Sequence, residues 1–594
     1  MNDAAQAGAP VGRGAGGGPL SAAERARINR DDPVSPAAYP PPGGGEVVAS
    51  PSDADPIEVG VCIVGAGPAG LACAIRLGQL LADDPARAER LGEVPVVVVE
   101  KGRQPGSHLL SGAVVNPRAL QRLFRDRRPI EELPLLGPVR GERVYALTPT
   151  RAIPIPTPPT MRNHGNYLAS LSQLGRWLGR EAEQAGAMIL PETAATRLLV
   201  SDGRVAGIRT GDRGRGREGE ELRNFEPGSD IRARLTVLCE GSHGHLTEAA
   251  LERFALRSDV PQTWELGVKE VWRVPGGLER VIHTLGWPLR PGARYREFGG
   301  TFLYPMGGDL LTIGIVVGLD YRDSALSVHD LLQQVKTHPA IRRLLEGGER
   351  IEWGAKTITS GGHLALPKRL HAPGLLLAGE GAGFVNVPTL KGIHYALETG
   401  MLAAETAFAA LVAPGAPPIP GALSAYDEAV AASEAWRELK QVRNMRQVFR
   451  HGLFVGGALA SLMTLTGGRF PAGPFPIEPD AAVSLISTGR AASYPAPDGR
   501  LTFDKLSSVF ASGNRTRDDQ PNHLRIQTEV PRRLGELWQN MCPAQVYELL
   551  DGSGESTVSV RVTPSNCVQC GAISAKGGRL TPPEGGSGPE YEGV

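Results

Sequence analysis

Three cysteines in the last fifty or so residues have the spacing of a metal site. Cys542 stands in Met541-Cys542-Pro543-Ala544, and Cys567 and Cys570 form a C-x2-C pair in Asn566-Cys567-Val568-Gln569-Cys570. Such a pair with a distant third thiolate is the ligand pattern of zinc or of an iron–sulfur cluster. No cysteine follows Cys570, so the set is one thiolate short of a four-cysteine site. Cys62, Cys73 and Cys239 lie in apolar contexts far along the chain. Six cysteines in 594 residues make no disulfide framework, which predicts a reducing compartment.

A second chemical signature lies near residue 60. The β-branched run Val59 to Val64 leads into Gly65-Ala66-Gly67-Pro68-Ala69-Gly70, and the apolar run Leu71 to Leu77 follows. This is a strand, a G-x-G-x-x-G turn and a helix, the fingerprint of a dinucleotide site. Gly65 permits the tight turn, Gly67 lets the backbone approach a pyrophosphate, and Gly70 lets helix and strand pack closely. Pro68 and Ala69 open the helix, whose free N–H groups and dipole face the phosphates. The next strand, Val96 to Val99, ends in Glu100, a carboxylate suited to ribose hydroxyls. A second Gly-rich loop, Gly379-Glu380-Gly381-Ala382-Gly383, follows the run Leu375 to Leu377. It suits the second contact to FAD, with Glu380 at the ribityl chain. Gly392 precedes a further helix whose N-terminus would face the isoalloxazine. No separate nicotinamide domain is visible, so electrons are expected from a protein or a substrate.

The composition sets the frame for these motifs. Hydrophobic residues make up 41% of the chain, enough for large cores, and Lys+Arg balances Asp+Glu at 63 each. That balance argues against a nucleic-acid binder. No run reaches the ~20 apolar residues of a membrane span. Residues 1–56 are rich in Gly, Ala and Pro and read as a disordered extension. Residues 452–468 carry no charge and fit a segment that dips into one leaflet. Arg437, Lys440, Arg443, Arg446 and Arg450 precede it at helical spacing, predicting one basic stripe. A shallower second contact is expected from Leu109 to about Phe124.

Several segments together resemble the electron-transfer flavoprotein–ubiquinone oxidoreductase family, from residue 58 to 594. They include His108-Leu109-Leu110-Ser111-Gly112-Ala113, Asn163-His164-Gly165-Asn166-Tyr167 and Glu240-Gly241-Ser242-His243-Gly244-His245-Leu246. Gly286-Trp287-Pro288-Leu289, Val317-Gly318-Leu319-Asp320-Tyr321, Asn386-Val387-Pro388, Phe503 to Phe510 and Asp519-Gln520-Pro521 continue the series in order. The resemblance implies FAD, a [4Fe–4S] cluster, and transfer of electrons from reduced electron-transfer flavoprotein to ubiquinone at a membrane surface. That membrane would be a bacterial inner membrane, or alternatively the mitochondrial one. It implies a mixed α/β and α+β fold: a split Rossmann-like FAD domain, an inserted antiparallel-sheet quinone domain and a C-terminal ferredoxin-like iron–sulfur domain. The expected boundaries are FAD domain 57–135, 230–250 and 351–430, quinone domain 136–229 and 251–350, a helical membrane-contacting segment 431–479, and the iron–sulfur-type domain 480–594. Gly299 and Gly300 take the positions whose backbone meets the quinone in the family; a turn or bulge is the alternative from residues alone.

The family pattern continues the C-x2-C pair with a further x2-Cys, and here that position is Ile573, followed by a shortened stretch before Pro583-Glu584-Gly585-Gly586. The outcomes are a [3Fe–4S] cluster on three thiolates, a [4Fe–4S] cluster with Ser574 or water as fourth ligand, zinc with a histidine such as His523, or no metal. A competing function is an FAD-dependent reductase of isoprenoid type with a metal-free docking module at its C-terminus. Residues 480–594 argue against it.

Overall fold

A computed structural model describes residues 34–38, 47–52, 55–124, 128–411, 418, 421–488, 494, 496–550 and 556–593. The run Ile57–Val64 is a central strand whose last six residues are buried. It pairs in parallel with Val96–Val99 on one side and Asp230–Leu238 on the other. The sheet reads Val48–Ala49, Ala195–Ser201, Arg204–Thr210, Asp230–Leu238, Ile57–Val64, Val96–Val99, Met188–Leu190, and Leu375–Leu377 joins it beside Asp230–Leu238. Parallel strands buried on both faces require continuous apolar runs, which Val96–Val99 and Leu375–Leu377 supply. The helix Pro68–Asp83 packs on Leu171–Gln184 and Ile393–Ala410.

A second, seven-stranded sheet runs Glu349–Thr359, Trp264–Arg273, Leu310–Gly318, Gly299–Pro305, Val281–Gly286, Glu142–Leu147, Ala152–Ile155. Its pairs are antiparallel except Val281–Gly286 with Glu142–Leu147. The C-terminal part has a three-stranded antiparallel sheet (Glu529–Pro531, Thr557–Val562, Tyr547–Leu550) and the helix Arg532–Met541. It is no separate lobe, because Trp538, Cys542, Cys567 and Ile573 share one core with Leu266, Val268, Ile313 and Ile315 of the seven-stranded sheet.

Three expected boundaries are corrected. Met188–Leu190, Ala195–Ser201 and Arg204–Thr210 fall in the span 136–229 assigned to the quinone part, yet they pair into the sheet of the Gly-rich turn. Glu349–Thr359, most of it assigned to the flavin part, is an edge strand of the seven-stranded sheet. Within 1–56, Val48–Ala49 pairs in parallel with Leu198 and Leu199, and Ser35 Oγ donates to the carbonyl of Ala481 at 2.9 Å. Hydrogen-bond partners far along the chain order these pieces; residues 1–33, 39–46 and 53–54 of that extension lie outside the described residues.

A buried ion group joins the sheet to the C-terminal part. Glu270 accepts from Lys336 Nζ at 2.8 and 3.0 Å, from Gln333 Nε2 at 3.2 Å and from Trp272 Nε1 at 2.8 Å. Arg350 adds a contact at 3.7 Å and stacks its guanidinium 3.5 Å over the ring of Phe503. Burial alone would raise the Glu270 carboxyl, but Lys336 and Arg350 outweigh it and hold the group below its ordinary value. Glu270→Ala would leave Lys336 buried without its counterion and should lower unfolding stability by about 3–5 kcal/mol. Denaturant titration against the parent protein measures this.

Candidate functional site

The Gly-rich turn opens onto a cavity of about 340 Å³. Gly65 has φ +103°, and a Cβ there would lie 2.5 Å from the carbonyl of Cys239. Gly70 sits against the Gly65 carbonyl, where a Cβ would come to 2.0 Å. At Gly67 the added Cβ would meet only Leu109 at 3.8 Å. Gly65 thus makes the turn, Gly70 the close packing, and the backbone at Gly67 is left open toward the cavity. Gly67 caps the helix that Pro68 opens, and Pro68 and Ala69 line the cavity. Glu100 accepts from the N–H of Ala66 at 2.9 Å and of Gly102 at 2.7 Å, which fixes its carboxylate on the cavity wall.

The second loop completes the opposite wall. Gly379 has φ +70° and is buried against Ala69, while Glu380 accepts from Thr359 N–H at 3.1 Å and lines the cavity with Gly392. Burial pushes the Glu380 carboxyl up to about 7, against weaker pulls from the Thr359 N–H and Lys356. Two buried ring atoms on the wall, His108 Nδ1 and His243 Nε2, have no partner among the described residues. An open glycine, a helix N-terminus, a fixed acid and unpaired polar atoms together fit a flavin dinucleotide. Sequence reasoning missed the lysines: Lys101, Lys269, Lys356 and Lys391 all line this cavity. Burial brings Lys269 down to about 7 and Lys101 and Lys391 to about 8. The signal was present in Val268-Lys269-Glu270-Val271, a charged pair inside an apolar strand.

The cavity reaches the seven-stranded sheet at Gly267, Val268, Lys269, Phe302, Tyr304 and Val316. Tyr304 shares a 2.8 Å hydrogen bond with His283 Nε2. Gly299 and Gly300 begin the strand Gly299–Pro305. Their Cβ directions meet the carbonyls of Val316 at 2.0 Å and Thr284 at 2.4 Å, so close strand packing already demands glycine there. Neither lines the cavity, but Gly300 shares a strand face with Phe302 and Tyr304 by alternation.

All three cysteines and Ile573 line one small cavity of about 20 Å³, with Met541, Tyr547, Val568, Ala572 and Leu580 among its other walls. Cys542 follows the helix Arg532–Met541, and its sulfur accepts from Val546 N–H at 3.5 Å; Cys567 Sγ accepts from Gln569 N–H at 3.4 Å. Burial raises all three thiols, Cys570 up to about 12, while neighbouring backbone N–H groups oppose the rise. N–H groups aimed at sulfur favour thiolates once a metal supplies positive charge. Among the described residues no group of His, Cys, Asp and Glu is gathered tightly enough for a single metal ion. One zinc would draw its thiolates to about 3.8 Å apart, whereas a cluster spreads them wider. His523 does not line the cavity. The donor set fits a cluster on three thiolates and does not fit one on four.

The C-x2-C loop touches both neighbours. Gln569 and Leu580 line the flavin-sized cavity. Thr357 donates to the Cys570 carbonyl from N–H and from Oγ1, both at 2.8 Å, Lys356 Nζ donates to the Gln569 carbonyl at 3.2 Å, and Lys101 Nζ donates to Gln569 Oε1 at 2.7 Å.

In the segment after residue 431, the helix Leu453–Leu465 exposes Phe454 (78%), Val455 (54%) and Leu465 (84%). No helix among the described residues is long and apolar enough to cross a membrane. The single basic stripe is corrected. The first helix, Glu434–Gln441, ends too early, Arg446 is buried on Glu265 (2.9 Å) and Asp320 (2.6 Å), and Arg443 donates to the carbonyls of Lys440, Gly468 and Pro471. The second contact at 109–124 is also corrected: Leu109 and Leu110 line the large cavity, and Leu120, Leu123 and Phe124 are core residues.

With that geometry in hand, the chain can be set beside known proteins. A family profile described as ETF-QO, ubiquinone-binding matches residues 264–358. One described as electron transfer flavoprotein-ubiquinone oxidoreductase, 4Fe-4S, matches residues 499–592. The mitochondrial electron transfer flavoprotein-ubiquinone oxidoreductase of Dictyostelium discoideum is 38% identical over 571 residues, covering 91% of each chain. The human mitochondrial enzyme of that name is 37% identical over 565 residues, covering 90% of this chain and 89% of its own. A probable electron transfer flavoprotein-ubiquinone oxidoreductase of Acinetobacter baylyi is 37% identical, covering 90% and 98%. A geranylgeranyl bacteriochlorophyll reductase-like protein of Thermoplasma acidophilum superposes with TM-score 0.51 at 18% identity over 69% of this chain and 92% of its own, a likeness of fold.

Gly67→Val should place a side chain in the open cradle, giving a folded protein without the visible absorbance of bound flavin. Gly70→Ala, by contrast, meets the Gly65 carbonyl and should lose both flavin and thermal stability. Between about 7 and its ordinary 10.5, Lys269 holds a proton more readily in the unfolded chain than in the folded one. Stability of the flavin-free protein should therefore rise with pH across that window. Lys269→Met should flatten the rise, as read by denaturant unfolding at a series of pH values.

Proposed function

The chain belongs to the electron-transfer flavoprotein–ubiquinone oxidoreductase family, and on that premise we propose how its own residues serve the reaction. It is an oxidoreductase that takes electrons from electron-transfer flavoprotein and delivers them to ubiquinone, with FAD and an iron–sulfur cluster as cofactors. When bound, the flavin exchanges electrons singly or in pairs and the cluster exchanges them singly, while the protein positions and tunes both. The single observation that carries the assignment of roles is the cavity that runs from the Gly-rich turn to the seven-stranded sheet.

The sheet around Ile57–Val64 is read as a Rossmann-like FAD domain split by the inserted seven-stranded sheet. Gly65, Gly67, Pro68, Ala69 and Gly70 would hold the pyrophosphate, Glu100 the adenosine ribose, and Gly379, Glu380 and Gly392 the ribityl and ring end. The four lysines would offset the charge of the phosphates and of a reduced flavin. Gly299 and Gly300 remain the quinone-contact pair of this reading. Their neighbour Phe298 packs 4.8 Å from Phe449, at the foot of the exposed apolar helix, and Leu453 N–H donates to the Pro291 carbonyl at 2.9 Å. A quinone entering beside that helix would pass the glycine pair and reach Phe302 and Tyr304 on the same strand face.

The helix Leu453–Leu465, about 20 Å long against a hydrocarbon core of about 30 Å, would lie in one leaflet with Phe454, Val455 and Leu465 in the acyl region. Exposed Arg437, Lys440 and Arg469 would face the headgroups. The enzyme would thus sit peripherally on a membrane, as bacterial or mitochondrial relatives both allow. The isoprenoid-reductase alternative keeps only a likeness of fold.

Supplying reduced electron-transfer flavoprotein and a short-chain quinone should give steady quinone reduction; no turnover would reject the assignment. The double variant Phe454→Asp with Leu465→Asp should float with anionic vesicles at least a hundredfold more weakly, since each buried side chain contributes about 1.5–3 kcal/mol. Its reduction of the soluble quinone should persist.

A further inference from the structure

The corner that holds Cys542, Cys567 and Cys570 departs from the four-iron site its family profile describes. The fourth corner of the cavity is Ile573, 4% exposed, at the start of the short helix Ala572–Ala575. Its side chain is wedged over Gly578, where a Cβ would come within 2.4 Å of Ile573 Cγ1 and 2.9 Å of Ile526 Cγ2. The corner is therefore filled and held by packing.

No other group on the cavity wall replaces the missing thiolate. Ser574 Oγ accepts the N–H of Leu580 at 3.0 Å and does not line the cavity. Tyr547 on the wall offers a hard oxygen donor where the other three corners are soft sulfur. Met541 offers an uncharged thioether. A hydroxide or water on a fourth iron would have to sit among Leu524, Val568, Ala572, Ile573 and Leu580, and placing a polar ligand in such a setting without hydrogen-bond partners costs several kcal/mol.

We propose that this chain carries a three-iron, four-sulfide cluster, each iron bound by one of Cys542, Cys567 and Cys570, with the Ile573 side chain closing the position of the fourth iron. The proposal rests on the family reading that the corner holds a cluster. Soft thiolate donors gathered on one cavity wall and N–H groups directed at their sulfurs support it.

The test is iron, acid-labile sulfide and flavin analysis of anaerobically purified protein, with EPR before and after dithionite. The expected result is about three irons and four sulfides per flavin, with a signal in the oxidised protein that is lost on reduction. Anaerobic ferrous iron with reductant should leave the wild-type count unchanged. The same treatment should bring Ile573→Cys to about four irons, with a signal that appears only on reduction. Should that variant not fold, native mass spectrometry of the wild-type protein reads the cluster mass directly. Four irons in the wild-type protein, or uptake of a fourth, would overturn the proposal and leave the family reading intact. No iron or sulfide at all would overturn both the proposal and the cluster assignment, and turnover with the two partners would still report on the flavin.

Discussion

The structure depends on the grip on the four-residue loop Cys567 to Cys570. The seven-stranded sheet holds its carbonyls through Thr357 and Lys356, and the flavin-side part holds its Gln569 side chain through Lys101. These are charge-assisted or doubled bonds to buried groups, each costly to leave unmade. One loop therefore ties the small cysteine-lined cavity to the large cavity and to the seven-stranded sheet. Electron transfer between fixed centres requires such rigidity, because the protein contributes placement and little chemistry of its own.

The arrangement also explains why charge is buried so freely here. Glu270, Lys336 and Arg350 form a closed group at the junction of the sheet and the C-terminal part, and Arg446 with Glu265 and Asp320 forms another beside the apolar helix. Neither lies where solvent could screen it. Such groups add little net stability over apolar packing, but breaking one partner is expensive.

The flavin site was the most legible part of the sequence, because its chemistry is written in local spacing. Gly65, Gly67 and Gly70 each do what the turn requires, and Glu100 ends its strand where expected. The boundaries between sheets were less legible. Ala195–Ser201 and Arg204–Thr210 are a hairpin turned at Asp202-Gly203, and a hairpin's own sequence does not say which sheet it joins. The basic stripe failed for a related reason: spacing of three and four implies one face only while the helix continues, and this one stops at Gln441. The buried lysines were missed because Lys is so seldom fully buried. At Gly299 and Gly300 the sequence carries two messages at once, since strand packing and ligand approach both select glycine.

The strand Leu375–Leu377, laid beside Asp230–Leu238, has a consequence for synthesis. The edge it covers, Asp230–Leu238, leaves the ribosome about 140 residues earlier. At about 5–20 residues per second the delay is roughly 7–28 s. Through that interval the β-branched edge of a half-built sheet is uncovered, a template for pairing with another nascent chain. Glu380, which lines the cavity, lies just beyond that strand, so the cavity wall is completed only after the late strand arrives.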